Sequence, residues 1–206
     1  MKSQHDPLNL IVCGVGGQGN ILISRMIGRV LTKKGYLVTI GETFGAAQRG
    51  GPVFSSMRIS NKRYHGPLIP EGHGHVILSL EPLEAIRTLI IFGNPDLLIL
   101  TNTQPIYPVG VLSKRFDYPD LKELKEAIQR LSRSAWFLNA TELAVKLKSP
   151  IVANIIMLGA LVGSNALPIE VRECETEIAN TFPSARVDLN LQALNVGVNV
   201  IHRNLT

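Results

Sequence analysis

The sequence predicts an α/β fold of the three-layer α/β/α, Rossmann-like kind, with a largely parallel sheet and a helical C-terminal third. Three observations carry this. Short continuous apolar runs, such as Leu8-Asn9-Leu10-Ile11-Val12-Cys13 and Val76-Ile77-Leu78-Ser79-Leu80, alternate with segments of helical period, the pattern of strands covered on both faces by crossover helices. The first run turns at once into Gly14-Val15-Gly16-Gly17-Gln18-Gly19-Asn20 and then into an amphipathic segment. Beyond residue 140 the apolar positions recur at helical spacing.

The elements follow in order. A strand over 8–13 leads through the glycine turn into a helix over 20–34, with Ile23, Met26, Ile27, Val30 and Leu31 on one stripe and Gly35 as its stop. Lys33-Lys34 complement the dipole at its C-terminal end. A second strand spans 36–40, a glycine-rich loop 41–52, and a third strand 53–60; Asn61-Lys62-Arg63 reads as a turn. The run 76–80 is a buried strand, and Glu81-Pro82 starts a helix with proline in its favoured first turn. A strand at 97–100 precedes an irregular loop from 102 to 119 with Pro105, Pro108 and Pro119. A helix over 120–132 and a strand over 135–138 follow, then helices over 141–147, 151–164, 168–180 and 188–203. No repeat or low-complexity linker divides the 206 residues, so residues 1–206 are expected to form one domain.

Composition narrows the function. The hydrophobic content of 45% supports a substantial core, and the charged content of 18% is low enough to hint at a surface covered by a partner. The formal charge of +5 is dispersed, with no basic stripe interleaved with aromatics, so nucleic-acid binding is not expected. Cys13 and Cys174 are far apart and no C-x-x-C occurs, so this chain is not expected to hold an iron–sulfur cluster or a cysteine-type zinc site. The lack of a disulfide framework suits the cytoplasm. The first seven residues lack the apolar core of a signal peptide, and the run 151–162 is too short to span a bilayer.

The glycine turn is the first candidate site. Gly14, Gly16 and Gly19 fit G-x-G-x-x-G spacing, and Gly17 adds freedom for close backbone approach. Between a strand and a helix start, such a turn aims backbone N–H groups and a helix dipole at an anion. The competing reading is a turn that only packs helix on strand. Gln18 and Asn20 belong to the same turn. A dinucleotide reading wants an acid after the second strand, and Glu42 is available there. The loop 41–52 is the second candidate: glycines flank Gln48 and Arg49, and Gly50-Gly51 follow, so the guanidinium can clamp a phosphate or carboxylate. Its plainer reading is a surface loop in which Arg49 pairs with Glu42. Glu81 reads first as the cap of its own helix, His73-Gly74-His75 suggests a metal but has no third ligand evident nearby, and Asn154 and Asn195 read as core asparagines or ligand contacts. No Ser-His-Asp, Cys-His or paired-carboxylate arrangement can be assembled, so no catalytic residue is assigned.

Gly14–Gly19 together with Gly45-Ala46-Ala47-Gln48-Arg49-Gly50-Gly51 resembles the gamma-type subunit of 2-oxoacid:ferredoxin oxidoreductases. The likeness continues through Pro67-Leu68-Ile69-Pro70-Glu71-Gly72, Leu80-Glu81-Pro82-Leu83-Glu84-Ala85, Asn102-Thr103, Pro105-Ile106, Tyr118-Pro119, Ala140–Ala144 and Asn154–Leu161, nearly the whole chain. The segments 67–72 and 102–106 are most similar to the small beta subunits of the indolepyruvate branch. Gly41 and Phe44 stand where that pattern has Ser and His, and Ala46 where it often has Met. The resemblance implies an α/β/α fold and a complex that oxidatively decarboxylates an arylpyruvate, acylates coenzyme A and reduces ferredoxin. It implies that thiamine diphosphate, magnesium and 4Fe-4S clusters sit in a large partner subunit, with coenzyme A as a ligand the subunits could share. Gly14, Gly16, Gly17, Gln18, Gly19, Asn20, Glu42, Gln48, Arg49, Gly50 and Gly51 are the residues expected to contact a cofactor, coenzyme A or another phosphate ligand. The isolated chain is then inactive, and whether it self-associates is left open. A stand-alone nucleotide- or coenzyme-binding module, and a nicotinamide- or flavin-dependent oxidoreductase, are the other readings.

Overall fold

The computed structural model describes residues 5–42, 51–107, 111, 114 and 117–205. Six strands, β1 (Leu8–Val15), β2 (Leu37–Glu42), β3 (Pro52–Ser60), β4 (Val76–Ser79), β5 (Leu98–Asn102) and β6 (Ser134–Leu138), form one sheet in the order β2-β3-β1-β4-β5-β6. β1, β4, β5 and β6 pair in parallel, whereas β3 is antiparallel to both β1 and β2. The sheet is therefore mixed, with five strands pointing one way and β3 the other. The sequence had β2 and β3 as strands. It could not show that β3 folds back between β2 and β1.

Among the described residues seven α-helices pack around the sheet: α1 (Asn20–Lys33), α2 (Pro82–Phe92), α3 (Leu121–Arg130), α4 (Ala140–Lys146), α5 (Ala153–Gly163), α6 (Val171–Thr181) and α7 (Ser184–Leu205). Side-chain alternation sorts each central strand between two cores. Leu10, Val12, Leu78 and Leu100 join the larger core with Met26 and Ile27 of α1 and Ile155 of α5. Ile11, Cys13, Ile77 and Ile99 join the smaller core with Ala85 and Leu89 of α2 and Ile128 of α3. The segment between β3 and β4 adds Ile69 to that second core.

Local signals fix most helix ends. Gly35 and Tyr36 donate back to the carbonyls of Thr32 and Leu31 and close α1. Asp120 caps α3 through the amides of Lys122 and Glu123. α6 begins at Val171 rather than 168, where Glu173 reaches back to the Glu170 amide at 2.7 Å. α7 begins at Ser184, four residues before the expected start, directly after Pro183. Lys33 and Lys34 do more than complement a dipole: they bridge to Glu177 and Glu173 of α6 at 2.7 and 2.8 Å.

α5 is apolar on every side because every side is covered. Residues 154–163 are all buried between the sheet and α7. The α5–α7 crossing is closed by glycines, since a Cβ at Gly159 would overlap the Leu194 carbonyl and one at Gly197 the Ile156 carbonyl. Among the described residues no helix is long and apolar enough to cross a membrane.

Candidate functional site

The C-terminal rim of β1 and β4 is where the chain order reverses, with β3 and β2 to one side and β5 and β6 to the other. In open α/β sheets this reversal opens a ligand crevice. The glycine turn stands in the middle of that rim. Its amide at Gly16 donates to the Gly51 carbonyl at 2.9 Å, which ties it to the head of β3. Gly17 (φ +101°) and Gly19 (φ +91°) adopt left-handed backbone that L side chains rarely take. Gly19 is the N-cap of α1, and a Cβ there would overlap the Asn154 amide nitrogen, so the first turn of α5 packs directly on the first turn of α1.

Gln18 turns inward. Its Oε1 accepts from the Val15 amide at 2.7 Å, and its Nε2 donates to the Leu80 carbonyl at 2.8 Å. It braces the turn against β1 and the end of β4, and Gly14 leaves room for it: a Cβ there would lie 2.5 Å from Gln18 Oε1. Asn20 opens α1 and is 3% exposed, yet neither its Oδ1 nor its Nδ2 has a hydrogen-bond partner among the described residues. A buried, unsatisfied carboxamide is costly. No side chain among the described residues caps α1, and its first turn carries no acid. The start of α5 has the same character, with no side-chain cap at Val152 and no acid in the first turn.

Two clefts flank the turn. One, of about 340 Å³, is lined by Gly16, Gly17, Gly19, Asn20, Glu42 and Phe54, among others. The second, of about 390 Å³, fills the β1/β4 crevice between the turn and the start of α5; Gln18, Leu80, Asn102, Gln104, Ile106 and Asn154 line it. Among the described residues its polar wall holds carboxamides and the Thr141 hydroxyl and no charged side chain. A cavity of about 390 Å³ at the opposite rim, beside His5, His75 and Arg133, faces the strand N-termini, where open α/β sheets do not place their ligands.

The remaining candidates resolve as follows. Glu42 closes β2 and lines the first cleft, but its carboxylate is paired with Arg25, Nε and Nη2 both at 3.3 Å. β3 also sets β2 one strand further from β1 than in a dinucleotide-binding sheet. Gln48, Arg49 and Gly50 lie outside the described residues. The ends of their segment, Glu42 and Gly51, both sit on the rim beside the turn. Gly41 sits under Pro67, whose Cβ would be 3.1 Å from a Cβ at 41, and Ser56 Oγ beside it donates to the Pro67 carbonyl at 2.9 Å. The glycine thus lets segment 64–68 close over β2 and β3.

His75 Nδ1 accepts from the Asn9 amide at 2.9 Å and His73 Nδ1 lies 2.7 Å from the Glu71 carbonyl. Burial, with the charges of His5 and His73, pushes His75 down to about 4. Asn154 is buried and accepts from the Ile155 amide, whereas Asn195 is exposed on α7. Cys13 belongs to the smaller core, and burial raises its thiol to about 12. Glu81 caps α2 as expected, with its Oε2 accepting from the Glu84 amide at 2.9 Å. Its other oxygen was not legible: it accepts from the Ile106 amide at 3.3 Å and from the Tyr118 hydroxyl.

An open, mostly parallel α/β sheet with a glycine turn and a pocket at its switch point defines the class, a Rossmann-like α/β protein. The chain belongs to the pyruvate ferredoxin/flavodoxin oxidoreductase family, whose family model matches residues 9–200. It is 39% identical over 192 residues to the indolepyruvate oxidoreductase subunit IorB of Archaeoglobus fulgidus, covering 93% of this chain and 94% of that one. It is 37% identical to the subunit of the same name from Methanothermobacter thermautotrophicus, over 92% and 95% of the two chains. Among solved structures it is similar in fold to 2-oxoglutarate:ferredoxin oxidoreductase from Magnetococcus marinus, solved with 2-oxoglutarate, coenzyme A and succinyl-CoA bound. The TM-score is 0.72 and the identity 19%, over 97% of this chain and 32% of that larger chain.

Proposed function

We propose that this chain is the small subunit of an indolepyruvate-type 2-oxoacid:ferredoxin oxidoreductase, working as one domain in a cytoplasmic multi-subunit complex. The overall reaction decarboxylates an arylpyruvate oxidatively, passes the acyl group to coenzyme A and reduces ferredoxin. Thiamine diphosphate, magnesium and 4Fe-4S clusters belong to a large partner subunit in this reading. The residues of this chain support that division: a 4Fe-4S cluster takes four thiolates, and the two cysteines here are buried in different elements.

One observation carries the role of this chain: the start of α1, uncapped by any described side chain and free of acids, with the buried and unpartnered Asn20 in its first turn. A phosphate of coenzyme A fits that donor set through the backbone amides of Gly17 and Gly19 and the Asn20 carboxamide. Arg49 is the proposed second contact, from a segment whose two ends lie on this rim. The nicotinamide or flavin reading is disfavoured by Glu42, whose carboxylate already holds Arg25.

The test is reconstitution with the large subunit, followed by indolepyruvate- and coenzyme A-dependent ferredoxin reduction. Gly16→Val and Arg49→Ala are expected to raise the Michaelis constant for coenzyme A about tenfold or more, the size of one lost charge-assisted contact. A complex that turns over equally well without this chain sinks the subunit role. Parental constants in both variants sink the site.

A further inference from the structure

We propose that Glu81 and Tyr118 are positioning residues, which together pin Gln104–Ile106 as the outer wall of the β1/β4 crevice and so set its width for the coenzyme. This rests on the reading of the glycine turn as a coenzyme A contact, since Gly17, Gln18 and Gly19 line the same crevice.

Capping α2 requires one acceptor, which a serine or aspartate supplies better than the longer glutamate found here. Glu81 is 1% exposed, and it divides its two oxygens. Oε2 serves α2 through the Glu84 amide. Oε1 leaves the helix and takes the Ile106 amide and the Tyr118 hydroxyl. A carboxylate this deeply buried is tolerable only with its acceptor sites filled, so the three donors hold one another in place.

The wall they fix is short and anchored at both ends. Asn102, the last residue of β5, accepts from the Ala140 amide at 3.0 Å and donates to the Leu80 carbonyl at 3.2 Å and to Thr141 Oγ1 at 3.2 Å. The Thr103 amide donates to the Leu138 carbonyl at 2.9 Å. Two residues beyond Gln104, Glu81 takes the Ile106 amide. Gln104 and Ile106 both face the crevice opposite Gln18 and Asn154. Tyr107 then meets Tyr118 edge-on, with ring centroids 5.2 Å apart, which fixes the orientation of the phenol. Burial, the Glu81 hydrogen bond and the Glu81 charge all raise the Tyr118 hydroxyl, so it remains a donor throughout the working range.

The experiment has two arms. In the full chain alone, hydrogen exchange is followed over residues 103–107 for the parent, Tyr118→Phe and Glu81→Gln. Tyr118→Phe removes one donor to a carboxylate, so exchange at 103–107 is expected to speed up about tenfold while α1 stays as protected as in the parent. Glu81→Gln keeps an oxygen for α2 but places an amide among the other donors, and its exchange is expected to rise further. In the reconstituted complex, Tyr118→Phe is expected to raise the Michaelis constant for coenzyme A about fivefold with kcat within twofold, which a general loss of folded protein would not produce. Unchanged exchange at 103–107 in both variants overturns the latch, whatever the chain binds. Faster exchange with an unchanged constant overturns the positioning of the wall. A parent complex with no coenzyme A dependence removes the ligand reading and the positioning claim built on it, while the exchange arm still decides the latch.

Discussion

Substituting alanine at the two left-handed glycines of the turn separates backbone strain from packing. Gly17 and Gly19 have nearly the same φ, but an added Cβ at 17 has nothing within 4 Å, whereas one at 19 falls on the Asn154 carboxamide. Strain alone costs about 1–2 kcal/mol at either position. At 19 the buried Asn154 must also move, which gives up its bond to the Ile155 amide and overpacks the start of α5, a further ~1–3 kcal/mol. For a domain of this size each kcal/mol lowers the melting temperature by about 2–4 °C. Gly17→Ala is thus expected to melt about 2–8 °C below the parent and Gly19→Ala about 4–20 °C below, with the difference carried by Asn154. Differential scanning calorimetry reads both, and the cycle Gly19→Ala, Asn154→Ala and the double variant reads the coupling. Removing the carboxamide should restore at least about 1 kcal/mol to the Gly19→Ala background. Equal melting temperatures for the two glycine variants, together with strict additivity in the cycle, would refute the stacking of α5 on α1 at this point.

Two further outcomes follow from titratable groups. Burial alone would raise the Glu177 carboxyl, but hydrogen bonds from Lys33, Arg29 and Thr181 outweigh it and hold it below the usual range. Its stabilising contribution is therefore complete above the unfolded carboxylate pKa of about 4.3 and is lost as pH falls through the lower folded value. Urea unfolding between pH 7 and pH 3 should show this loss, and Glu177→Gln should flatten the acid limb. His75 is held neutral, its pKa lowered to about 4 by burial and then by the charges of His5 and His73. The stability tied to this shift is full above the unfolded value of about 6.5 and declines as pH falls toward 4. Proton NMR of its ring should titrate near 4, and a midpoint near 6.5 would contradict the bond from the Asn9 amide.

Local chemistry was the legible part of this chain. The β1–turn–α1 unit, the glycine stop at Gly35 and the cap at Glu81 depend on neighbours within a few residues, and each appears where the sequence placed it. Reading failed where a residue answers to a distant partner. β3 alternates the same way whichever strand lies beside it, so Val53–Ser60 could not reveal that it separates β2 from β1. Glu42 looked available to a ribose because nothing near it in sequence shows the guanidinium of Arg25 one turn into α1. Gln18 keeps its place on the crevice, but nothing near it in sequence shows that the Leu80 carbonyl at the end of β4 holds its carboxamide. The hint for Glu81 was its length: a glutamate is too long for capping alone.

The burial of α5 sets an order of events during synthesis. Ile155, Ile156, Met157, Leu158, Leu161 and Val162 are all covered, and each is worth about 1.5–3 kcal/mol only once it leaves water. The cover includes Leu194, Gly197 and Val198, which the ribosome delivers some 30–40 residues after α5 itself. Until then the nascent chain carries an apolar helix without its α7 cover beside a sheet that is already complete in sequence. The contact of Asn154 with Gly19 therefore joins an element made early in this sequence to a helix whose own cover is made later. A nascent chain ending at residue 180 and held clear of the ribosome exit tunnel by a linker is expected to be captured by chaperones through α5, and the full chain held the same way is expected to escape them.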